Sequence, residues 1–377
     1  MIYFDNSATT MLYPEVISTI NEKIDIFGNP SAMYKLGIIA ENEIENSKEI
    51  ISNFINCDKS EIYFTSGGTE SNNMAILGAV YSKKRRGNTI ITTSIEHPSV
   101  LKVFEKLKNE GFNVEIVRPR ECGNIFIEDI TEKITSNTIF ISMMLVNNLT
   151  GAILPIEKLR QACIKKKSEA IIHTDCVAAL GKIPINLRKL DVDMASFSAH
   201  KVHSLKGTGV LYKKNKINII PLILGGGQQN NLRSGTENTI GIIAFGKSIY
   251  VKQQNFTDKA NNMLKIKNYL IENLITDEII NNTPKNSSPG ILNISLLKYR
   301  PETVLHALES DEIYISAGSA CSSKKGNSSS LSGFNYNQNQ SESAIRISFG
   351  DFNTIEEAEN FVKSLNFTLR NLIKNKS

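Results

Sequence analysis

The sequence predicts an α/β protein: a largely parallel sheet covered by helices on both faces, followed by a smaller α+β unit. Three observations carry this. From about residue 15 to 255, short continuous apolar runs alternate with longer helical stretches. Strands buried on both faces read as unbroken apolar runs, and parallel neighbours need helical crossovers. After residue 256 that alternation stops, and long helical runs frame only two strands. The length of 377 residues suits two domains of ordinary size.

In the first part the expected strands are "EIYF" (61–64), "TIITT" (89–93), "NVEIV" (113–117), "TIFISMML" (138–145), "AIIHTD" (170–175) and "DMASFS" (193–198). Helices are expected between them, as at 96–111 and 155–168. In the second part an amphipathic helix (258–274) precedes the strand "GILNISL" (290–296). A helix opened by Pro301 follows, then the strand "AIRISF" (344–349) and a final helix (354–374).

Composition excludes several classes. With 43 basic and 38 acidic residues the net charge is only +5. The basic clusters read as helix ends and loops, so no direct nucleic-acid binding is expected. The longest apolar run, "IFISMMLV" (139–146), is far short of the ~18 residues of a membrane span. "MIYFDNSATT" at the start has no basic or apolar leader pattern, so no secretory signal is expected. The five cysteines (Cys57, Cys122, Cys163, Cys176 and Cys321) are odd in number and form no CxxC pair. A disulfide framework or zinc site is not expected, and a cytoplasmic location is.

Open α/β sheets bind ligands beyond the C-terminal ends of their strands, so the polar residues there are the ones to read. "YFTSGGTESNN" (63–73) is a strand, a glycine turn and a helix opened by Thr69. Gly67 and Gly68 would let backbone N–H groups at the helix start approach a phosphate. An N-capping threonine explains the same residues. "IIHTDCVAALGK" (171–182) ends a buried strand in Asp175, which is either a local cap or a carboxylate kept for a partner. "MASFSAHKVHSLKG" (194–207) sets Ser198, His200 and Lys201 just past another buried strand. A desolvated lysine amine is suited to Schiff-base chemistry. A His200/His203 metal pair would need further ligands that the chain does not supply, so no metal is expected. A phosphate cradle, an acid for a ring nitrogen and a lysine for an aldehyde are together what pyridoxal 5'-phosphate requires.

The chain resembles the cysteine desulfurases, of the class V aminotransferase group of fold-type I pyridoxal-phosphate enzymes. The likeness runs through "YFDNSATT" (3–10), "FGNPSAMYKLG" (27–37), "FTSGGTESNN" (64–73), "EHPSV" (96–100), "VNNLTG" (146–151), "SFSAHK" (196–201), "RSGTEN" (233–238), "AGSAC" (317–321) and "AIRISFG" (344–350). It implies a seven-stranded, mostly parallel sheet in a large domain, 15–256. Residues 1–14 would join 257–377 in a small domain carrying the cysteine loop. It implies that Lys201 is the Schiff-base lysine, that Asp175 faces the pyridine nitrogen, and that His97 stacks on the ring and moves protons. Gly68, Thr69, Ser198 and His200 would hold the phosphate, and Thr236 would reach the phosphate of a second subunit, giving a homodimer with shared sites. Asn148 and Arg346 would hold the carboxylate of L-cysteine. Cys321 would take its sulfur as a persulfide for an acceptor protein, in iron–sulfur cluster assembly or in the thiolation of tRNA or a cofactor. A selenocysteine lyase, a class V transaminase and a non-catalytic paralogue are the alternatives.

Three departures from the family pattern stand out. Ala178 occupies the place of a glutamine that would bond the cofactor's phenolic oxygen. Ser204 and Leu205 replace a Gly-Pro pair after the lysine. The segment 331–344, "LSGFNYNQNQSESA", is polar where relatives have an apolar helix. The Ser/Lys/Gly/Asn run after Cys321 has too little apolar content to pack firmly, so a mobile arm is expected there.

Overall fold

A computed structural model describes residues 1–120, 123–317, 331 and 333–372. In chain order the first part comprises β1 (Ile2–Tyr3), α1 (Pro14–Lys23), α2 (Lys35–Ile55), β2 (Ile62–Thr65), α3 (Gly68–Lys83), β3 (Thr89–Thr93), α4 (Pro98–Asn109), β4 (Asn113–Val117) and α5 (Ile127–Lys133). It continues with β5 (Thr138–Ser142), α6 (Leu159–Lys165), β6 (Ile171–Asp175), α7 (Leu187–Leu190), β7 (Met194–Ser198), β8 (Gly209–Lys213) and α8 (Thr239–Gln254).

Seven of these strands form one sheet in the order β2-β8-β7-β6-β5-β3-β4. Neighbours from β7 across to β4 run parallel, and β8 runs antiparallel to β7 and β2. The mostly parallel seven-stranded sheet is therefore as expected. β8 itself is a surplus over the expected strands: its five residues follow the loop after Lys201 with little room for a separate apolar run. Two boundaries also differ. α4 starts at Pro98, not at 96, because His97 is its N-cap and proline suits the first helical position. β5 ends at Ser142, although Met143 and Leu145 go on donating to the carbonyls of His173 and Asp175.

The second part comprises α9 (Phe256–Leu274), β9 (Ile279–Asn281), β10 (Ile291–Leu296), α10 (Pro301–Glu309), β11 (Ile313–Tyr314), β12 (Ser316–Ala317), α11 (Gln338–Glu342), β13 (Ala344–Ser348) and α12 (Ile355–Asn371). Its antiparallel sheet has the order β12-β13-β10-β9. The chain start packs here too. β1 pairs with β11, and Phe4 is fully buried with Met263, Ile266, Leu292, Ile294 and Phe361. The polar segment after residue 331 packs more firmly than its composition suggests: Leu331 and Phe334 are buried in the core of the first part, and Phe334 stacks on Tyr336. Among the described residues no helix is long and apolar enough to cross a membrane.

Candidate active site

β2, β6 and β7 end on one side of the large sheet, as parallel order requires. A cavity of about 400 Å³ lies there, between that sheet and β13 of the small one. Its wall includes Gly68, Thr69, His97, Asn148, Asp175, Ser198, His200, Lys201 and Arg346. Nine residues from six stretches of the chain are thus brought to one space.

The glycine turn forms one wall. Gly67, at φ +151°, caps α3, so Thr69 lies in the first turn and is not the cap itself. A Cβ on Gly68 would stand 2.7 Å from Val177 Cγ2, so a bare backbone is required at this approach. The N–H groups of the first turn have no intrahelical partners and suit an anion.

A hydrogen-bonded chain crosses the floor. Asp175, 4% exposed, accepts from the Val177 N–H at 2.9 Å through one oxygen and from Asn72 Nδ2 at 2.8 Å through the other. The Val177 bond is the local turn the sequence suggested, and Asn72 fixes the other oxygen. Asn72 also donates to Ser99 Oγ at 2.8 Å, and that hydroxyl lies 2.8 Å from His97 Nδ1. Burial pulls the His97 pKa below its ordinary value; nearby Lys201 adds to this and Asp175 opposes it. The imidazole is therefore neutral at pH 7, able to take up or pass a proton.

Lys201 follows β7 in a single 3₁₀ turn, Ala199–Lys201. Its Nζ donates to the carbonyls of Ser7 (2.5 Å) and Ala8 (2.7 Å) in the N-terminal segment. His200 Nδ1 lies 3.2 Å from Thr9 Oγ1, and burial, with Lys201 and Lys206, lowers its pKa to about 4. Across the cavity Arg346 on β13 is 7% exposed and donates to Asn148 O (3.1 Å) and Asp5 Oδ1 (2.8 Å).

Of the remaining expected residues, Thr236 is exposed and absent from this cavity's wall. Cys321 lies outside the described residues, as does the run that follows it. Ala178 is on the wall and offers no donor. Leu205 packs near Tyr13, Val16 and Ala244, which gives the loop after the lysine an apolar anchor in place of a rigid turn. Ser204 is 2% exposed and its hydroxyl has no hydrogen-bond partner among the described residues. His173 is buried between Ser142 and Ser196, its pKa lowered by burial to about 3. Asn72, Ser99 and Asp5 were not singled out in the sequence. Asn72 lies one helical turn beyond Thr69 on the cavity-facing side of α3, and that spacing was the available signal.

Residues 2–361 match the aminotransferase class-V family. The chain is 40% identical over 368 residues to the NifS/IcsS protein homolog of Lactobacillus delbrueckii subsp. bulgaricus, covering 96% of this chain and 95% of that one. It is 37% identical over 365 residues to the cysteine desulfurase IscS of Clostridium botulinum, covering 95% and 91%. The chain belongs to the class-V aminotransferase family, among its cysteine desulfurases. Among solved structures, a NifS-like protein superposes with a TM-score of 0.93 at 34% identity, covering 98% of this desulfurase and 100% of that chain. A structure titled SspA in complex with cysteine superposes with a TM-score of 0.79 at 29% identity, covering 94% and 100%.

This desulfurase fits the pyridoxal phosphate of its family. A carboxylate has about four acceptor sites, and Asp175 accepts two hydrogen bonds, so it keeps capacity for a ring N–H. Gly68, Thr69, Ser198 and His200, which would hold the phosphate, line the same cavity as the Lys201 amine.

Proposed function

We propose that the enzyme removes sulfur from L-cysteine with Lys201, His97, Asp175, Arg346, Asn148 and Cys321 in the roles set out below. The observation that carries this reading is the meeting of Asp175, His97, Lys201 and Arg346 in one cavity. When bound, pyridoxal phosphate supplies an aldehyde that condenses with amines and a protonated ring that draws electrons from the adjacent carbon.

The protein's residues do the rest. Arg346 and Asn148 receive the substrate carboxylate. Asp175, oriented by Asn72, holds a proton at the ring nitrogen. Lys201 takes the proton from the substrate α-carbon, and His97, neutral and in contact with Ser99, passes protons near the same atoms. The thiolate of Cys321 attacks the sulfur of cysteine: an S–S bond forms, the C–S bond breaks, and its electron pair stays with carbon, which is protonated on the way to L-alanine.

Three described thiols are poor candidates for that attack. Burial pushes Cys57 up to about 12 and Cys163 up to about 11, and raises Cys176 further. Cys321 follows Ala317, the end of β12, by four residues, a tether of at most about 14 Å. Ala317 pairs with Ile345, next to Arg346.

The large domain is taken as 15–256, and 1–14 with 257–377 as the small one; the separate core around Phe4 supports this division. A homodimer is supported by the apolar residues Phe27, Met33 and Leu224, which are 80%, 96% and 81% exposed. Leu224 adjoins Ile223, which bridges to Arg233 in the loop that carries Thr236. The persulfide would pass to an acceptor protein in the cytoplasm, for iron–sulfur cluster assembly or thiolation.

The test is product analysis with L-cysteine and a reducing thiol. The parent should release alanine and sulfide in equal amounts, and Cys321→Ala should lose at least 90% of both. Alanine formation that survives unchanged in Cys321→Ala refutes the nucleophilic cysteine.

A further inference from the structure

Arg346 is gripped from two sides, by Asn148 of the cavity wall and by Asp5 behind it. A guanidinium carries five N–H donors and stays charged. One on Nη1 goes to the Asn148 carbonyl at 3.1 Å, and one on Nη2 goes to Asp5 Oδ1 at 2.8 Å. Buried Nε has no hydrogen-bond partner among the described residues. One N–H therefore remains on each terminal nitrogen, the pair that a carboxylate needs to bind end-on.

Asp5 is itself fixed. It bridges to Ser348, two residues beyond Arg346 on β13, and its neighbours continue the pairing: Ser348 N–H donates to Phe4 O at 2.7 Å and Asn6 N–H donates to Ser348 O at 3.2 Å. Arg346 belongs to the cavity wall and Asp5 does not. The anion and the cation it orients are thus mounted on adjacent backbone segments, and the cation is part of the cavity wall.

We propose that Asp5 is a positioning residue for substrate recognition: with the Asn148 carbonyl, it fixes the Arg346 guanidinium so that the two remaining terminal N–H groups meet the carboxylate of a monocarboxylic α-amino acid. This rests on the reading of Arg346 as the carboxylate-binding residue. Without Asp5 the side chain would lose its nearest counter-charge and rotate about its last torsions, and the fork would have to be ordered anew at each binding event.

The experiment compares holoenzymes of the parent, Asp5→Ala, Asp5→Asn and Arg346→Ala. Equilibrium binding of L-alanine is followed through the absorbance of the bound cofactor, and KM and kcat are measured for L-cysteine. Asp5→Ala should weaken L-alanine binding and raise KM at least tenfold, with kcat reduced less than threefold. Asp5→Asn keeps an oxygen acceptor in the same place and should show roughly a threefold loss. An Asp5→Ala enzyme within twofold of the parent in both binding measures overturns the proposal. So does a fall in kcat at unchanged KM, and so does an Asp5→Asn enzyme as impaired as Asp5→Ala. Arg346→Ala separates the two readings. If it binds L-alanine like the parent, the assignment of Arg346 fails; if it loses binding while Asp5→Ala does not, only the role of Asp5 fails. Should Asp5→Ala not retain cofactor, Asp5→Ser takes its place in the same comparison.

Discussion

Glu96, next to His97, offers a measurable consequence of burial. It is 5% exposed; Oε1 accepts from the Thr93 hydroxyl at 2.6 Å and from the Met144 N–H at 3.0 Å, and Oε2 has no hydrogen-bond partner among the described residues. A buried carboxylate with one oxygen unbonded is costly. Burial, aided by the charge of Asp175, raises its pKa from the ordinary 4.5 to about 8. In the folded protein the group therefore keeps its proton up to about pH 8, while in the unfolded chain it ionises above pH 4.5. The unfolded state binds fewer protons across that window, so stability falls as pH rises through it. At about 1.36 kcal/mol per unit, the loss between pH 5.5 and 7.5 is about 2.7 kcal/mol. Glu96→Gln keeps the acceptor for Thr93 and Met144 and titrates in neither state. Urea unfolding of parent and variant at both pH values, each saturated with cofactor, isolates this contribution, because other groups cancel in the difference. The parent should lose about 2–3 kcal/mol relative to the variant on going from pH 5.5 to 7.5. A difference that stays constant refutes a protonated Glu96.

Two further outcomes are expected. Gly68→Ala places a Cβ 2.7 Å from Val177 Cγ2, so cofactor affinity should fall roughly tenfold, and Val177→Ala in the same chain should recover at least half of that loss on a logarithmic scale; no recovery would mean that the cradle is not set by this contact. Ala178→Gln adds a donor to the cavity wall and should move the pH titration of the bound cofactor's absorbance by about half a unit or more, about 0.7 kcal/mol; identical titrations of parent and variant would show that position 178 has no influence on the cofactor.

Much of the fold was legible because burial on both faces leaves unbroken apolar runs, as in "TIITT" and "TIFIS". β8 was harder to see, since five residues after a turn-rich loop give little pattern, and β1, β11 and β12 have two residues each. The site was legible where chemistry needs an uncommon residue in an uncommon place: Lys201 and Asp175 at the ends of buried strands. Asn72, Ser99 and Asp5 escaped notice for a physical reason. Their residue types are ordinary on helices and in loops, and only their partners, as many as 341 residues distant, give them meaning.

The contact between Asp5 and Arg346 spans 341 residues, and that between Asn6 and Asn353 spans 347. Consider the same pairing as an event in time, during synthesis. Asp5 and Asn6 are made more than 300 residues before the partners they pair with. At about 5–20 residues per second, the N-terminal segment waits roughly 20–70 s for the strand it will pair with. Until then Thr9 and Thr10 can already meet His200, but the segment around Asp5 lacks its β13 partner and the cavity lacks the wall that carries Arg346. The large sheet, whose last strand ends at Lys213, can thus be made well before the pocket, which is complete only once β13 has paired with the segment around Asp5.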